Sequence, residues 1–499
     1  MKLNQLFAVI PGPAESSPRP EVELSGIYND ARQVTANSVF VAIRGSKLDG
    51  HSFIPEAVAK GASALVVEDC ALVPKDYSGF VLQVSNTREA LDILASRFYL
   101  EPGQELFCVG VTGTNGKTSV TYMVEAILNE GRIPTGVIGT VNHHLGEKVW
   151  PSEMTTPDPI FLQKRLREFR NHGALAVAME VSSHALDQKR VDSVPFNSVV
   201  FTNLTRDHLD YHKTMDQYLE AKQKLFTDSL WRTEKTPVFA IVNIADKYGR
   251  RLRVADPAEL WTYGTNDSDL RFEIIKMNFA STRFKIITPG GEGEVNLPMS
   301  GGHNVQNAVA AIGVGLSAGL PLEVCISALN KFTGVPGRLQ SVPNRKDLAV
   351  FVDYAHSPDA LENVLTALNK VRESLQSKAR IWTIFGCGGD RDKGKRPLMA
   401  QIALRYSDKV IVTSDNPRTE KPEDIIQDIL TGVAGADKAA TQVFVDRQEA
   451  IYHAIMNASV GDVILIAGKG HEDYQIIGKD KLPFSDIKVA EAALQGRQL

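Results

Sequence analysis

Cysteine is scarce in this 499-residue sequence: Cys70, Cys108, Cys325 and Cys387 are the whole complement, far apart and without C-x-x-C spacing. A disulfide-stapled scaffold is excluded, and a reducing compartment, the cytoplasm, is expected. Long apolar runs are missing too. The N-terminal run covers only residues 6–10 before Pro11, too short for a signal-peptide core, so no export is expected. The most apolar segment, 308–322, is 15 residues interrupted by Gly, Ser and Pro. It falls short of the roughly 20 residues that span a bilayer and predicts a buried helix, without membrane insertion. There is no basic excess: the formal net charge is -4, which gives no electrostatic reason to expect a nucleic-acid partner. Internal repeats and low-complexity tracts are absent. With 43% apolar and 23% charged residues, no large part of the chain reads as disordered. Its length suits about three domains of roughly 150 residues.

What is present is a steady alternation of short β-branched runs with helical patterns, the signature of α/β layers around mainly parallel sheets. A first group has strands near 38–45, 64–69 and 80–84 and ends at the turn-rich Glu101-Pro102-Gly103, so a first domain is expected over 1–102. A second, over 103–335, opens with a strand at 106–111 and a Gly-rich turn. The helix that follows carries Val120, Met123, Val124, Ile127 and Leu128 on one face, with Gly131 as its C-cap. Further strands fall at 174–181, 198–204 and 237–243, and a helix after His303. The third group, 336–499, repeats strand then helix at 348–356, 380–389, 409–415, 442–446 and 462–470, the last without an obvious helix. That predicts a doubly wound, Rossmann-like sheet, in which ligands bind beyond the carboxyl ends of the strands. Polar, chemically capable residues lie there: Asp353 and His356, residues 390–396, 415–418 and 469–472.

The strongest chemical signal is the segment 110–118, GVTGTNGKT, between a strand and an amphipathic helix. Backbone N–H groups of Gly113, Thr114, Asn115, Gly116 and the helix start at Lys117, Thr118 and Ser119 can cradle phosphates. Lys117 can reach the terminal phosphates, and the Thr118 hydroxyl can ligate Mg²⁺. ATP is the natural ligand. Val111 stands where the usual phosphate-loop pattern has its first glycine.

This loop resembles that of the Mur ligases and the similar folylpolyglutamate synthases. Further segments agree with the Mur pattern: MEVSSHALDQKR (179–190), TNLTRDHLDYH (202–212), YLEAKQKLF (218–226), GGHNVQN (301–307), GRLQ (337–340), DYAHSPDAL (353–361), GGDRDKGKRP, SDNPR and GKGHEDYQ. The chain is identified as a member of the Mur ligase family, and within it the match is to the MurE branch. The resemblance implies three domains: an N-terminal one for the UDP-linked substrate, a central phosphate-loop domain for ATP, and a C-terminal Rossmann-like one for the amino acid. It implies an acid–amino-acid ligase of peptidoglycan synthesis that phosphorylates a carboxylate with ATP and lets an amine attack the acyl phosphate. Two anions must be brought together, and divalent cations and lysine must offset their repulsion.

Residue by residue, Glu180 resembles the family's Mg²⁺ ligand and His208 a second contributor. Lys222 resembles the lysine that the family carbamylates into an oxygen ligand, although its spacing alone reads as a solvated helix lysine. Asn304, Arg338 and Asp353 match the adenine, phosphate and ribose contacts, and Arg338 at the linker implies domain motion. Thr155, Thr156, Ser182, Gln188 and Arg190 match positions that hold the muramoyl dipeptide. Asn29 with Ala31 corresponds to the uridine site, where Ala31 replaces a serine. The pair His143-His144 lacks further ligands at zinc spacing and reads as a surface turn.

For the amino acid, Asp415-Asn416-Pro417-Arg418 resembles the form seen in diaminopimelate-adding members. The Arg418 fork can bind the carboxylate that lysine lacks. Arg391 resembles a second carboxylate contact, and Gly468 and Glu472 are set to hold the distal ammonium. The implied substrates are UDP-N-acetylmuramoyl-L-alanyl-D-glutamate and meso-diaminopimelate, used by a monomer. The competing readings are a lysine-adding ligase, a folylpolyglutamate synthase, and a phosphate-loop switch that hydrolyses nucleotide without forming a bond.

Overall fold

A computed structural model of the chain describes residues 1–10, 21–45, 48–343 and 348–497. The chain divides into two compact units, one of residues 1–272, 287–293 and 306–328, the other of 273–286, 294–305 and 329–499.

The first unit holds two sheets. A four-stranded parallel sheet runs Gly26–Tyr28, Ser38–Val41, Ala62–Val67, Phe80–Gln83 in spatial order. Its strands are short continuous apolar runs, as expected where both faces are covered. Ala31 is 4% exposed and packs with Val34, Phe40 and Leu65 in one of its cores. The helix Thr87–Phe98 packs across it, started by Asn86, whose side chain accepts from the N–H groups of Arg88 and Glu89. Asp92 of this helix is fully buried and accepts both the N–H (2.6 Å) and the O–H (2.5 Å) of Ser193. Burial pushes its carboxyl up to about 7, against the opposing pull of those Ser193 bonds.

The second sheet has eight strands in the order Glu259–Tyr263, Phe239–Asn243, Ser198–Phe201, Phe107–Thr112, Ala176–Glu180, Thr135–Ile138, His143–Leu145, Lys148–Trp150. The first six are parallel, and the last two form an antiparallel extension. His143 and His144 therefore lie in a strand and are buried, 1% and 8% exposed, which corrects the surface turn expected from sequence. Burial lowers the His143 imidazole to about 4, and His144 sits between Asn142 (2.7 Å) and Glu125 (3.0 Å). The helix Lys117–Glu130 buries Val120, Met123, Val124, Ile127 and Leu128 as its spacing predicts. Gly131 caps it with φ -75°, and the left-handed residue is Arg132. Glycine at 131 serves close approach instead: a Cβ there would lie 2.5 Å from Leu320. The expected buried helix is Gly302–Ser317, ending before Gly319 and Pro321.

The second unit contains a six-stranded sheet, Gln340–Ser341, Ala349–Asp353, Val463–Ala467, Ile381–Phe385, Lys409–Thr413, Thr441–Phe444, parallel except for its first member. The central strands are buried on both faces, with helices such as Pro358–Ser374 and Lys395–Tyr406 on one side and Arg447–Asn457 and Asp486–Gly496 on the other. This is the doubly wound architecture. The strand Val463–Ala467 lies between the first and second parallel strands of the chain, so the order reverses there, where such sheets open a crevice. It is followed by a hairpin, Tyr474–Ile477 with Asp480–Pro483. A separate three-stranded sheet comprises Arg271–Met277, Thr282–Thr288 and Gly291–Leu297. No helix among the described residues is long and apolar enough to cross a membrane.

Candidate active site

In the first unit the strand Phe107–Thr112 runs into residues 113–116, which open the helix Lys117–Glu130. Gly113 has φ +150°, and a Cβ there would overlap the Thr202 hydroxyl, so only glycine lets the loop lie this close to the neighbouring strand end. The loop is tied down by that same segment. Thr114 N–H donates to Asn203 O (2.9 Å), Asn115 N–H to Asn203 Oδ1 (3.0 Å), and the Thr202 hydroxyl donates to Asn115 O (2.6 Å). Lys117 arches over it, its ammonium donating to Gly113 O (2.9 Å) and Thr114 O (2.8 Å). A helix N-terminus, a glycine-rich turn and a lysine over the turn form an anion cradle.

Two buried groups flank the cradle. Glu180, 1% exposed at the end of its strand, accepts from the Thr118 hydroxyl (2.9 Å), from Thr140 N–H (2.8 Å) and from the Thr140 hydroxyl (3.2 Å). Lys222, also 1% exposed, donates to Gly113 O (2.9 Å) and lies 4.6 Å from the centroid of the Tyr218 ring. Burial, aided by the nearby Lys117 charge, lowers its pKa well below the usual lysine value. The solvated lysine that spacing alone suggested is thereby corrected. His208 has φ +52° and is about half exposed, with its Nε2 3.6 Å from Asp207. Its ring joins a cluster with His184 (5.0 Å) and Tyr218 (6.0 Å), and His212 stacks on Tyr218 at 5.1 Å.

Magnesium favours one or two carboxylates completed by phosphate oxygens and water. A buried carboxylate held by the cradle's own threonine fits that donor set. No three His, Cys, Asp or Glu side chains form a metal-sized group among the described residues, so an all-protein cage is not what these residues offer.

The residues expected to hold a muramoyl dipeptide converge beside Glu180. The Thr156 hydroxyl donates to Glu180 O (2.8 Å) and accepts Ser182 N–H (3.0 Å), while Thr155 and Thr140 hydroxyls meet at 3.0 Å. Arg190 donates to Thr156 O (2.9 Å) and to Gln188 Oε1 (2.7 Å). A cavity of about 160 Å³ is lined by Asn29, Arg88, Met154, Asp158, Gln188 and Arg190, among others. A second of about 520 Å³ shares Asn29 and Ile43 with it and adds Ala31, Arg32 and Phe53.

In the second unit, the strand ends assemble a polar network. Lys469 is fully buried; its ammonium donates to Asn416 Oδ1 (3.1 Å) and Glu472 Oε2 (3.1 Å), and Asn416 Nδ2 donates to Glu472 Oε2 (2.9 Å). Gly468 has φ +118°, and a Cβ there would lie 2.8 Å from Asp415 Oδ2. Arg418, following Pro417, takes φ +52° and donates to Gly389 O at 2.8 Å. Its backbone is held by the hairpin: Arg418 N–H donates to Ile476 O (3.1 Å) and Gly478 N–H to Arg418 O (2.7 Å). Arg391 is exposed and, among the described residues, donates to Asp390 O at 3.4 Å. Behind these residues, fully buried Arg447 pairs bidentately with Asp486 (2.7 Å twice) and donates to Ala467 O (2.9 Å).

Asp353 is buried and accepts N–H from Leu339 (2.7 Å) and Ala355 (2.8 Å); burial raises its carboxyl pKa. Arg338 is half-buried one residue before Leu339. Asn304 donates to Ser300 O (2.8 Å) beside a cavity of about 20 Å³, room for about one water. Lys469, Tyr218, Arg447 and Asp486 were not assigned roles from sequence. Lys469 lies inside the quoted GKGHE segment, which was the available signal.

A phosphate cradle at a strand–helix junction, flanked by a buried carboxylate and a buried lysine, in a chain that also carries a doubly wound sheet, defines an ATP-using α/β enzyme. Models of the Mur ligase family match three segments: the catalytic domain at 23–99, the middle domain at 111–315 and the glutamate ligase domain at 337–470. The chain belongs to the Mur ligase family. It is 43% identical to the UDP-N-acetylmuramoyl-L-alanyl-D-glutamate--2,6-diaminopimelate ligase of Geobacter sulfurreducens over 95% of both chains, and 42% identical to that of Geobacillus kaustophilus over 100% of both. A solved structure of a ligase of the same name superposes with TM-score 0.73 at 31% identity, covering 99% of each chain. The folylpolyglutamate synthase of Mycobacterium tuberculosis shares the fold at 18% identity and TM-score 0.57 over 83% of this chain and 95% of that one.

Proposed function

We propose that this chain joins meso-2,6-diaminopimelate to UDP-N-acetylmuramoyl-L-alanyl-D-glutamate, forming an amide bond in cytoplasmic peptidoglycan synthesis with conversion of ATP to ADP and phosphate. The observation that carries this reading is the identity of 43% over 95% of both chains to a ligase of that name. The site chemistry agrees with it. The cradle at 113–118 holds the ATP phosphates, with Lys117 following the transferred phosphoryl group. A glutamyl carboxylate held near Thr155, Thr156, Ser182 and Arg190 takes that phosphoryl group and becomes an acyl phosphate. The diaminopimelate amine then attacks the acyl carbon and releases phosphate.

Thr118, Glu180, carbamylated Lys222 and His208 are the residues that would hold Mg²⁺, which supplies charge neutralisation between the phosphates and the carboxylate. Lowering the Lys222 pKa favours the free amine, the form that reacts with CO₂. In the second unit, Arg418 reads the distal carboxylate of diaminopimelate through its fork. The Asn416–Lys469–Glu472 network fixes the acceptor that meets the distal ammonium, with Asp415 and Gly468 beside it and Arg391 as a second cation. Asn304, Arg338 and Asp353 serve the nucleoside end of ATP.

The test is phosphate release and product formation with the UDP-linked dipeptide plus either diaminopimelate or lysine. Release that requires both dipeptide and diaminopimelate is expected. Equal use of lysine would overturn the amino-acid assignment, and release from ATP alone would overturn the ligase reading.

A further inference from the structure

The helix Thr87–Phe98 presents Arg88 to the 160 Å³ cavity that also receives Arg190 from the turn after the short helix Ser183–Asp187. The Arg88 guanidinium donates to Arg44 O (2.9 Å), and that of Arg190 to Thr156 O and Gln188 Oε1. Among the described residues, neither guanidinium has a carboxylate within ion-pair distance. Asp158 lines the same cavity, but its Oδ1 is engaged in capping the helix Pro159–Asn171. Burial lowers the Arg190 pKa, the nearby Asp158 carboxylate opposes that shift, and the Arg88 charge across the cavity adds to it, so the two guanidiniums repel each other. Such an arrangement is stabilised when an anion enters between them.

The neighbouring cavities indicate which anion. The wider one, about 520 Å³, is lined by the apolar Ile43, Leu48 and Phe53 and by the polar Asn29, Asp30, Arg32 and Glu56, a size and mixed lining that suit a nucleoside. It shares Asn29 and Ile43 with the smaller cavity, which is also lined by Met154, Gln188 and Arg190, the last bonded to Thr156 O. A nucleotide-linked substrate runs nucleoside, diphosphate, sugar, peptide. Laid from the wider cavity toward Thr156, its diphosphate falls in the smaller cavity. We infer that Arg88 is a substrate-binding residue that clamps the diphosphate of the UDP-linked substrate opposite Arg190, an assignment that rests on the function proposed above.

Binding of UDP, uridine and the full UDP-linked dipeptide to the intact protein, measured by calorimetry for wild type, Arg88→Gln and Arg88→Lys, tests this. Removing one charge-assisted contact should weaken UDP and the dipeptide substrate roughly tenfold to a hundredfold. Uridine binding and the KM values for ATP and diaminopimelate should stay within about twofold, and the lysine variant should recover part of the loss. The salt dependence of UDP binding should also become shallower in Arg88→Gln. Unchanged UDP binding in that variant, or an equal loss for UDP and uridine, would overturn the assignment. If the wild-type chain itself fails to bind the UDP-linked dipeptide, the substrate reading fails, and the Arg88 assignment goes with it.

Discussion

Lys222 donates to the Gly113 carbonyl at 2.9 Å from a position 1% exposed, so the phosphate loop and the helix Met215–Gln223 meet through a buried amine. A full ammonium here lacks water and faces the Lys117 charge, and both effects favour the neutral form. Lys222→Ala should be almost inactive yet partly restored by a small carboxylate such as acetate, because the proposed working group is an oxygen ligand. Lys222→Arg should stay inactive, since a guanidinium cannot take up CO₂ as an amine does. Activity retained in Lys222→Arg, measured by steady-state ligation, would rule the carbamate out.

Gly113→Ala tests the cradle by steric means. Its Cβ overlaps the Thr202 hydroxyl and its φ of +150° is foreign to alanine. The loop must shift, and misplacement by about 1 Å near the chemistry can cost on the order of a hundredfold. ATP binding should weaken while the second unit keeps its affinity for diaminopimelate. Normal ATP binding by calorimetry would mean that phosphates do not sit in this loop.

Arg418→Ala should lower kcat/KM for diaminopimelate roughly ten- to a hundredfold and leave ATP binding unchanged. Lysine, having no distal carboxylate, should lose far less, so the ratio of the two substrates is the quantity to follow. An equal fall for both would mean that Arg418 only supports Gly389 and the hairpin. If neither falls, Arg391 becomes the leading candidate for the distal carboxylate.

Asp92 supplies a pH test. Its folded pKa of about 7 lies above the unfolded value near 3.9, so the folded state holds the proton that the unfolded state has released. Its contribution is therefore greatest at low pH and is lost as pH rises through that window. Asp92→Asn keeps an acceptor for Ser193 and removes the titration. Its stability relative to wild type should improve by about 1 kcal/mol between pH 6 and pH 8 in denaturant titrations. A constant difference across that range would mean that Asp92 stays ionised.

Much of the fold was legible because buried parallel strands read as continuous apolar runs. The phosphate loop was legible because strand, glycines, lysine and helix are contiguous. The strand His143–Leu145 was not: three residues with two histidines carry no periodic signal, and its burial comes from neighbours elsewhere in the chain. Nor does helical spacing reveal that Lys222 is buried, because the loop that covers it is 109 residues away in sequence. The same holds for Arg447 and Asp486, 39 residues apart, and for Arg88, which faces Arg190 across the cavity from a distant part of the sequence. Lys469 sat within a recognised segment, but only the fold reveals that its ammonium holds Asn416 and Glu472 together.

The bridge between Arg418 and the hairpin bears on attempts to transplant substrate preference among relatives of this chain. Residues 415–418 look like a self-contained cassette in sequence, yet the left-handed backbone at Arg418 is clasped on both sides by Ile476 and Gly478. Exchanging the four-residue segment alone would seat a foreign loop on an unmatched hairpin. A graft that carries residues 415–418 together with 474–483 is the smallest unit expected to transfer its geometry intact.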